Sequence, residues 1–306
     1  VTLGIGDDCA LLRPRAGEEL AVTTDLSIAG RHFRLDWHPA ESVGHRTLAR
    51  GMSDLAAMGA RPVAAFLSLG LPRELTISEN GARAWVDRFL DGLLALAADH
   101  KVALAGGDLA ESPLAVADIV LVGAVPRGKA LLRSGAKPGD RIYVTGRPGG
   151  AAAELAALGQ SPRDFAGATS ATKTSPHFYP QPRIAQGLWL RKHGLASAAI
   201  DLSDGLSTDL RHLCEESGVS AEIRAAALSL GSGATRQMAL HGGEDYELLF
   251  TAPVSAKIPR KIAGVAMTAI GGIQASRSRL PRVTLVSEDG KSLLDPQGWE
   301  HFSGTR

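Results

Sequence analysis

Short apolar runs alternate along the chain with longer stretches in which apolar residues recur at helical spacing. Leu20 to Thr24, Val63 to Leu71, Val102 to Ala105, Ala115 to Val125, Arg141 to Thr145, Ser197 to Leu202 and Tyr246 to Thr251 read as strands. Glu41 to Met58 reads as a helix, with Val43, Leu48, Met52 and Leu55 toward one face and Gly59 as its stop. Ser78 to His100 carries Trp85, Phe89, Leu93 and Leu96 at helical spacing and reads as a longer helix with these side chains in the core. Further helices are predicted over Gly149 to Leu158, Arg183 to His193 and Leu206 to Ser217. The alternation predicts a mixture of α/β and α+β layers. A composition break from Pro126 to Asp140 predicts a domain crossing, with domains 1–126 and 127–306. Ser161 to Pro182 is polar and rich in Ser, Thr and Pro, which suits a mobile surface connection or a lid.

Aspartates recur where these apolar runs end. Thr23-Thr24-Asp25, Gly106-Gly107-Asp108 and Asp201-Leu202-Ser203-Asp204 each follow a predicted strand, Gly6-Asp7-Asp8 opens the chain, and Asp54 sits in the first helix. Each has a plain reading of its own. Gly6-Asp7-Asp8 suits a turn, the Thr- and Ser-containing clusters suit helix caps, and Gly107 suits a tight turn. Asp54, roughly 200° around the helix from Met52, suits a solvated face. One shared site accounts for all of them more economically. Carboxylates gathered at strand ends repel one another until cations join them, and hard oxygen ligands suit Mg²⁺ beside phosphates. Thr24 and Ser203 add neutral oxygens, and Gly106 and Gly107 let backbone approach phosphate. No GxxxxGK[ST] loop, GxGxxG after a strand, HExxH or GxSxG is present, so a nucleotide is expected to be held through metal and scattered backbone contacts.

With 306 residues and 44% hydrophobic content, the chain has material for two cores. Its 33 basic and 32 acidic side chains leave a net charge of +1 and no like-charge block, which argues against nucleic acid and anionic membrane as partners. Cys9 and Cys214 are too few for a disulfide framework and suit small buried hydrophobes in a reducing cytoplasm. No stretch reaches the length of a spanning helix and no signal peptide opens the chain. The abrupt start at Val1, almost on the Gly4-Asp8 cluster, suggests residues upstream.

The motifs also resemble a known family. Gly4-Ile5-Gly6-Asp7-Asp8-Cys9-Ala10, Thr23-Thr24-Asp25, Gly30-Arg31-His32-Phe33, Ser53-Asp54-Leu55-Ala56-Ala57-Met58-Gly59 and Gly106-Gly107-Asp108 are similar to the thiamine-monophosphate kinases. Leu131 to Asp140, Ile200-Asp201-Leu202-Ser203-Asp204-Gly205-Leu206 and Gly242-Gly243-Glu244-Asp245-Tyr246-Glu247-Leu248 continue the series in the family's order over nearly the whole chain. The resemblance implies the two-domain fold of aminoimidazole ribonucleotide synthetase and selenophosphate synthetase, with an N-terminal α/β domain that forms a homodimer and a C-terminal α+β domain. It implies transfer of the γ-phosphoryl group of ATP to thiamine monophosphate. Asp8, Thr23, Thr24, Asp25, Asp54, Asp108, Asp201 and Asp204 would hold several Mg²⁺ ions, with Asp54 and Asp201 central to catalysis. Gly107, Asp108, Arg133 and Ser203 would contact ATP, and His32, Glu244 and Trp299 would lie against the thiamine phosphate.

Some features depart from the family pattern. His241 stands where a small residue is usual before Gly242, and Arg50-Gly51-Met52 before Ser53-Asp54 is atypical, with Gly51 expected to weaken its helix by up to ~1 kcal/mol. Two rival readings are a sibling synthetase of the same fold and a non-catalytic nucleotide-binding module. Cys9, inside its Asp-Cys-Ala turn, does not suit the reactive position that selenophosphate synthesis requires. A regulatory module would be expected to have lost acidic ligands, and none is lost.

Overall fold

Two sheets carry the chain in this computed structural model, which describes residues 1–6, 8–78, 81–160, 175–276 and 281–298. The chain forms two compact units. Unit 1 comprises Val1–Leu55, Ala60–Gly128 and Ala157–Pro182; unit 2 comprises Ala56–Gly59, Lys129–Ala156 and Arg183–Arg306.

Unit 1 contains a four-stranded sheet of β1 (Glu18–Ile28), β2 (Arg61–Leu71), β3 (Ala103–Glu111) and β4 (Val116–Pro126) in the order β1-β4-β2-β3. β4 is antiparallel to both β1 and β2, whereas β2 and β3 are parallel. Helices α1 (Ala40–Ala57) and α2 (Trp85–His100) accompany it. One face of the sheet is apolar and buried through Ile119 and Leu121 of β4. α1 lies close on that face at Gly51, where an added Cβ would stand 3.3 Å from Leu121. The glycine that lowers helix propensity therefore serves the packing. The α1 and α2 backbones also meet at glycine: a Cβ on Gly44 would fall 1.8 Å from the Phe89 carbonyl oxygen, and one on Gly92 1.8 Å from that of Glu41.

Unit 2 is built on β5 (Arg141–Thr145), β6 (Ala198–Asp201), β7 (Val219–Arg224), β8 (Leu248–Ala252), β9 (Lys261–Ile262), β10 (Val265–Ala275), β11 (Val283–Ser287) and β12 (Gly290–Leu293). Their order is β12-β11-β7-β10-β5-β8-β6, with β9 paired to β10; β11 and β7 run parallel and the other pairs antiparallel. Both faces are buried, as the two-residue side-chain period allows. Ile142, Val144, Ile200 and Leu249 join Leu206, Leu210, Leu213 and Cys214 of α5 (Leu206–Ser217) in one core. Tyr143, Ala199 and Phe250 join Leu190 of α4 (Ile184–His193) in the other. The helices α3 (Gly150–Gln160) and α6 (Arg236–His241) complete the described α-helices.

Several predicted bounds shift for identifiable reasons. β1 and β3 run on through Asp25 and Asp108, because their ladders with β4 and β2 continue past the apolar run. Of the three aspartates expected just beyond a strand, only Asp201 stands at a strand end. Gly107 lies inside β3 rather than in a turn, at a place where a Cβ would meet the Leu67 carbonyl oxygen at 1.9 Å. The helix expected from Ser78 begins at Trp85, since Gly81 takes φ 77° and Ala84 is extended at ψ 150°. β8 starts at Leu248, not Tyr246, because Tyr246 takes φ 50°. Residues 161–174 of the expected polar connection, and with them its reading as a lid, lie outside the described residues. Its remainder is anchored in unit 1, not a mobile surface. His177 and Phe178 are buried, Arg46 of α1 hydrogen-bonds His177, and the rings of His38 and His177 meet at 3.0 Å between their Nε2 atoms.

Candidate active site

In unit 1 the β pleat sorts the polar residues onto opposite faces of the sheet. Thr23 and Asp25 are two apart on β1 and face α1, where Thr23 Oγ1 donates to Asp54 Oδ2 at 2.5 Å and Asp25 pairs with Arg50 at 2.6 Å. Thr24 points the other way and donates to Asp118 Oδ1 at 2.8 Å. The register aligns Asp118 with Ser68 of β2 and Ser68 with Asp108 of β3, so these stand in one row across the sheet. The consecutive triplet Thr23-Thr24-Asp25 is thus not gathered on one side. Asp108 is exposed, and one of its oxygens accepts the N–H of Leu109. Asp8 is exposed in the loop between the bridged residues Leu3 and Leu11, and so is Cys9 beside it, so that of the two cysteines expected in the core only Cys214 is buried. His32 Nδ1 accepts the N–H of Ile28 at 3.0 Å, which leaves Nε2 to carry the proton of the neutral ring.

Unit 2 brings two distant motifs together. Glu244 N–H donates to Ser203 O, Tyr246 N–H to Leu202 O, and Leu202 N–H to Glu247 O, each at 2.8 Å. This lacing sets Asp201, Ser203 and Asp204 beside Glu244. A Cβ on Gly243 would stand 2.6 Å from the Ser203 carbonyl oxygen, so glycine permits the approach. Asp209, in the first turn of α5, is buried and accepts the N–H groups of Asp204 and Gly205 at 3.2 and 3.0 Å. Its burial, with repulsion from Asp201 and Asp204, pushes its pKa up to about 8 despite those bonds. Arg133 is exposed, and its carbonyl accepts Ser217 Oγ. Gly298 packs on Asp204 and donates its N–H to Thr208 Oγ1, whereas Trp299, which follows it, lies outside the described residues. His241 Nδ1 pairs with Ser207 Oγ at 2.8 Å, and its burial lowers its pKa, so the ring is neutral at pH 7.

Among the described residues, no group of three or more His, Cys, Asp or Glu converges as a ready metal cage. What the residues offer is separate carboxylate and hydroxyl oxygens. That is a donor set for a hard cation that keeps water and substrate oxygens in its shell. Asp118, Asp209 and Arg183 are not singled out as site residues in the sequence, and Glu247 stands there only as part of the Gly242 to Leu248 motif. Asp118 left a signal, a charge in the middle of the apolar run Ala115 to Val125. Arg183 left none, because its pairing with Glu247, 64 positions away, has no local pattern.

Comparison with known proteins adds three relatives. The sequence profile described as AIR synthase related protein, N-terminal domain, matches residues 6–125. The chain is 43% identical over 317 residues to thiamine-monophosphate kinase of Escherichia coli (strain K12), covering 99% of this chain and 93% of that protein. The crystal structure of thiamine-monophosphate kinase from Stenotrophomonas maltophilia K279a is 39% identical, with a TM-score of 0.78 over 92% of this chain and 90% of that one. A solved structure of AaThiL complexed with AMPPCP and TMP is 30% identical, with a TM-score of 0.80 over 95% of this chain and 89% of that one.

Proposed function

The chain belongs to the thiamine-monophosphate kinase family, and we propose the residue roles by which it phosphorylates thiamine monophosphate with ATP to give thiamine diphosphate. The lacing of Ile200-Leu206 to Gly242-Leu248 supports the assignment best, since it joins the proposed phosphate-binding and substrate-binding motifs in one local structure. In this reading residues 1–126 serve ATP and Mg²⁺ binding and dimerisation, and residues 127–306 complete the nucleotide and substrate site. Gly107, Asp108, Arg133 and Ser203 contact ATP, while His32, Glu244 and Trp299 contact the thiamine phosphate. Asp8, Thr23, Thr24, Asp25, Asp54, Asp108, Asp201 and Asp204 are the proposed Mg²⁺ ligands.

The donor chemistry fits that metal. Carboxylate and hydroxyl oxygens are hard ligands, and Mg²⁺ ordinarily takes one or two carboxylates and fills its shell with water and phosphate oxygens. When bound, it supplies charge neutralisation at the phosphates and orients them for in-line transfer. The protein's own work is then positioning. The acceptor is a phosphate monoester with a second pKa of about 6, already largely dianionic near neutrality, so the aspartates need not remove a proton. They hold the cations, and the Arg133 guanidinium, on its Gly-rich segment, offers paired N–H donors to a phosphate.

A second copy of the chain is the proposed partner. Leu20, Val22 and Leu26 project from the β1 face opposite α1 and are 44%, 64% and 47% exposed, an apolar stripe that suits a homodimer contact. No described helix is long and apolar enough to cross a membrane. We assign the protein to the cytoplasm, where ATP and Mg²⁺ are available. The test of the reading is an assay of purified protein with ATP, Mg²⁺ and thiamine monophosphate, read by chromatography of thiamine diphosphate. Product that requires both ATP and Mg²⁺ is expected; binding of ATP without product would overturn it.

A further inference from the structure

Two residues in unit 2, separated only by Asp245, hold backbone angles that L-amino acids rarely adopt: Glu244 at φ 66° and Tyr246 at φ 50°. In that region the Cβ crowds the following carbonyl oxygen, so a bulky residue such as tyrosine stays there only if its surroundings fix it. Glycine would serve a simple connection better. The segment does contain Gly242 and Gly243, yet neither takes the left-handed angle. They allow close approach instead, with Cβ positions 2.5 Å from Ala152 Cβ and 2.6 Å from the Ser203 carbonyl oxygen. The strained places are left to Glu244, a proposed substrate contact, and to Tyr246, whose side chain is buried.

The neighbours on either side of Tyr246 are held by side-chain contacts. Asp245 accepts the N–H groups of Gly149 and Ala151, at the start of α3, at 2.6 and 3.3 Å. Glu247, 5% exposed, accepts Thr145 Oγ1 at 2.5 Å and two Arg183 donors, Nε at 2.6 Å and Nη2 at 2.5 Å. Gly146 makes room for this pair, because its Cβ would fall 1.9 Å from Glu247 Oε1. A buried ion pair seldom adds more stability than apolar residues of the same volume, but its fork geometry fixes an orientation.

We propose that Arg183, Glu247 and Asp245 are positioning residues for Glu244: they clamp the strained segment so that Glu244 is presented in one orientation beside the Ser203 loop. This rests on the reading of Glu244 as a contact to thiamine monophosphate. A clamp of this kind acts on one substrate. Loosening it weakens thiamine monophosphate binding and leaves ATP binding alone, whereas a purely structural role would affect both through the fold.

The test is steady-state kinetics of the full chain, with each substrate varied at saturating concentration of the other and thermal melts on the same samples. Arg183→Met/Glu247→Met removes the pair without stranding a buried charge, and Asp245→Ala removes the second anchor. Each should raise KM for thiamine monophosphate about tenfold or more while KM for ATP stays within about twofold. Asp245→Asn, which keeps an acceptor oxygen, should recover most of the loss. Glu244→Gln separates the two claims. If it raises KM for thiamine monophosphate and the clamp variants do not, the clamp is overturned. If Glu244→Gln leaves that KM unchanged, the substrate reading of Glu244 falls, and the clamp's purpose with it. Equal rises in both KM values, or clamp variants that do not fold, would make these residues structural and overturn the proposal.

Discussion

At the scale of single residues, charge and hydrogen bonding separate cleanly at Asp54. Its carboxylate accepts the Thr23 hydroxyl and stands on a helix whose core contacts come from other positions, including Met52 and Leu55. Asp54→Asn keeps the shape and an acceptor oxygen but removes the charge that a cation needs. Turnover should fall on the order of a hundredfold or more with an unchanged melting temperature. Full activity in that variant would take Asp54 out of the site. Asp245 makes a different prediction, about pH. Burial, together with Glu247 and Glu244 nearby, pushes its pKa up from 3.8 to about 7, against the lowering effect of the Gly149 and Ala151 N–H groups. Between those values the folded chain holds a proton that the unfolded chain has lost. Stability therefore falls as pH rises from about 4 to about 7, with a limiting slope of ~1.4 kcal/mol per pH unit from this group. Urea unfolding at pH 5 and pH 7.5 should show Asp245→Asn losing roughly 1–3 kcal/mol less than the native chain over that interval. Parallel losses in the two proteins would contradict it.

At the scale of elements, the period of the apolar residues identifies strands and helices but not where they stop. β1 was legible from Leu20 to Thr24, yet it continues to Ile28 because β4 supplies partners residue by residue. Nothing local marks that, since Asp25 is accommodated by Arg50, which comes from α1. The left-handed angles of Glu244 and Tyr246 were equally hidden, because glycine is the residue that advertises such a place. Helix α2 shows the same at its C-terminus. Lys101 closes it at φ 56° and ψ 41°, with its N–H shared between the carbonyl oxygens of Ala97 and Ala98, a position where glycine is the common choice. Lys101→Gly should relieve the strain and raise stability by about 0.5–1 kcal/mol, read as a higher urea midpoint at constant slope. A lower midpoint would mean that the lysine charge at the helix end outweighs its strained backbone.

At the scale of the whole molecule, the motifs were legible because each is short and contiguous, while their grouping was not. Asp201-Leu202-Ser203-Asp204 and Gly242-Gly243-Glu244 lie some 40 positions apart in the chain, and only the hydrogen bonds between them show that they form one structure. Thr24 is the opposite case: adjacent in sequence to Thr23 and Asp25, it is turned away from them by the pleat and meets Asp118. The same pleat puts Leu20, Val22 and Leu26 on one face of β1, with Thr24 between the last two, while Thr23 and Asp25 face α1. A stripe of this kind on an edge strand is a liability in a monomer and an asset in a dimer. Val22→Lys tests which it is. The substitution lies in the middle of the stripe, 64% exposed, and leaves the β1–β4 backbone ladder intact. A lysine there should stay solvated in a monomer, with stability changed by no more than about 0.5 kcal/mol. In a homodimer two copies would bring like charges into an apolar contact. Sedimentation at micromolar concentration should then give the mass of two chains for the native protein and of one for Val22→Lys. Equal masses for both would place any self-contact elsewhere on the surface.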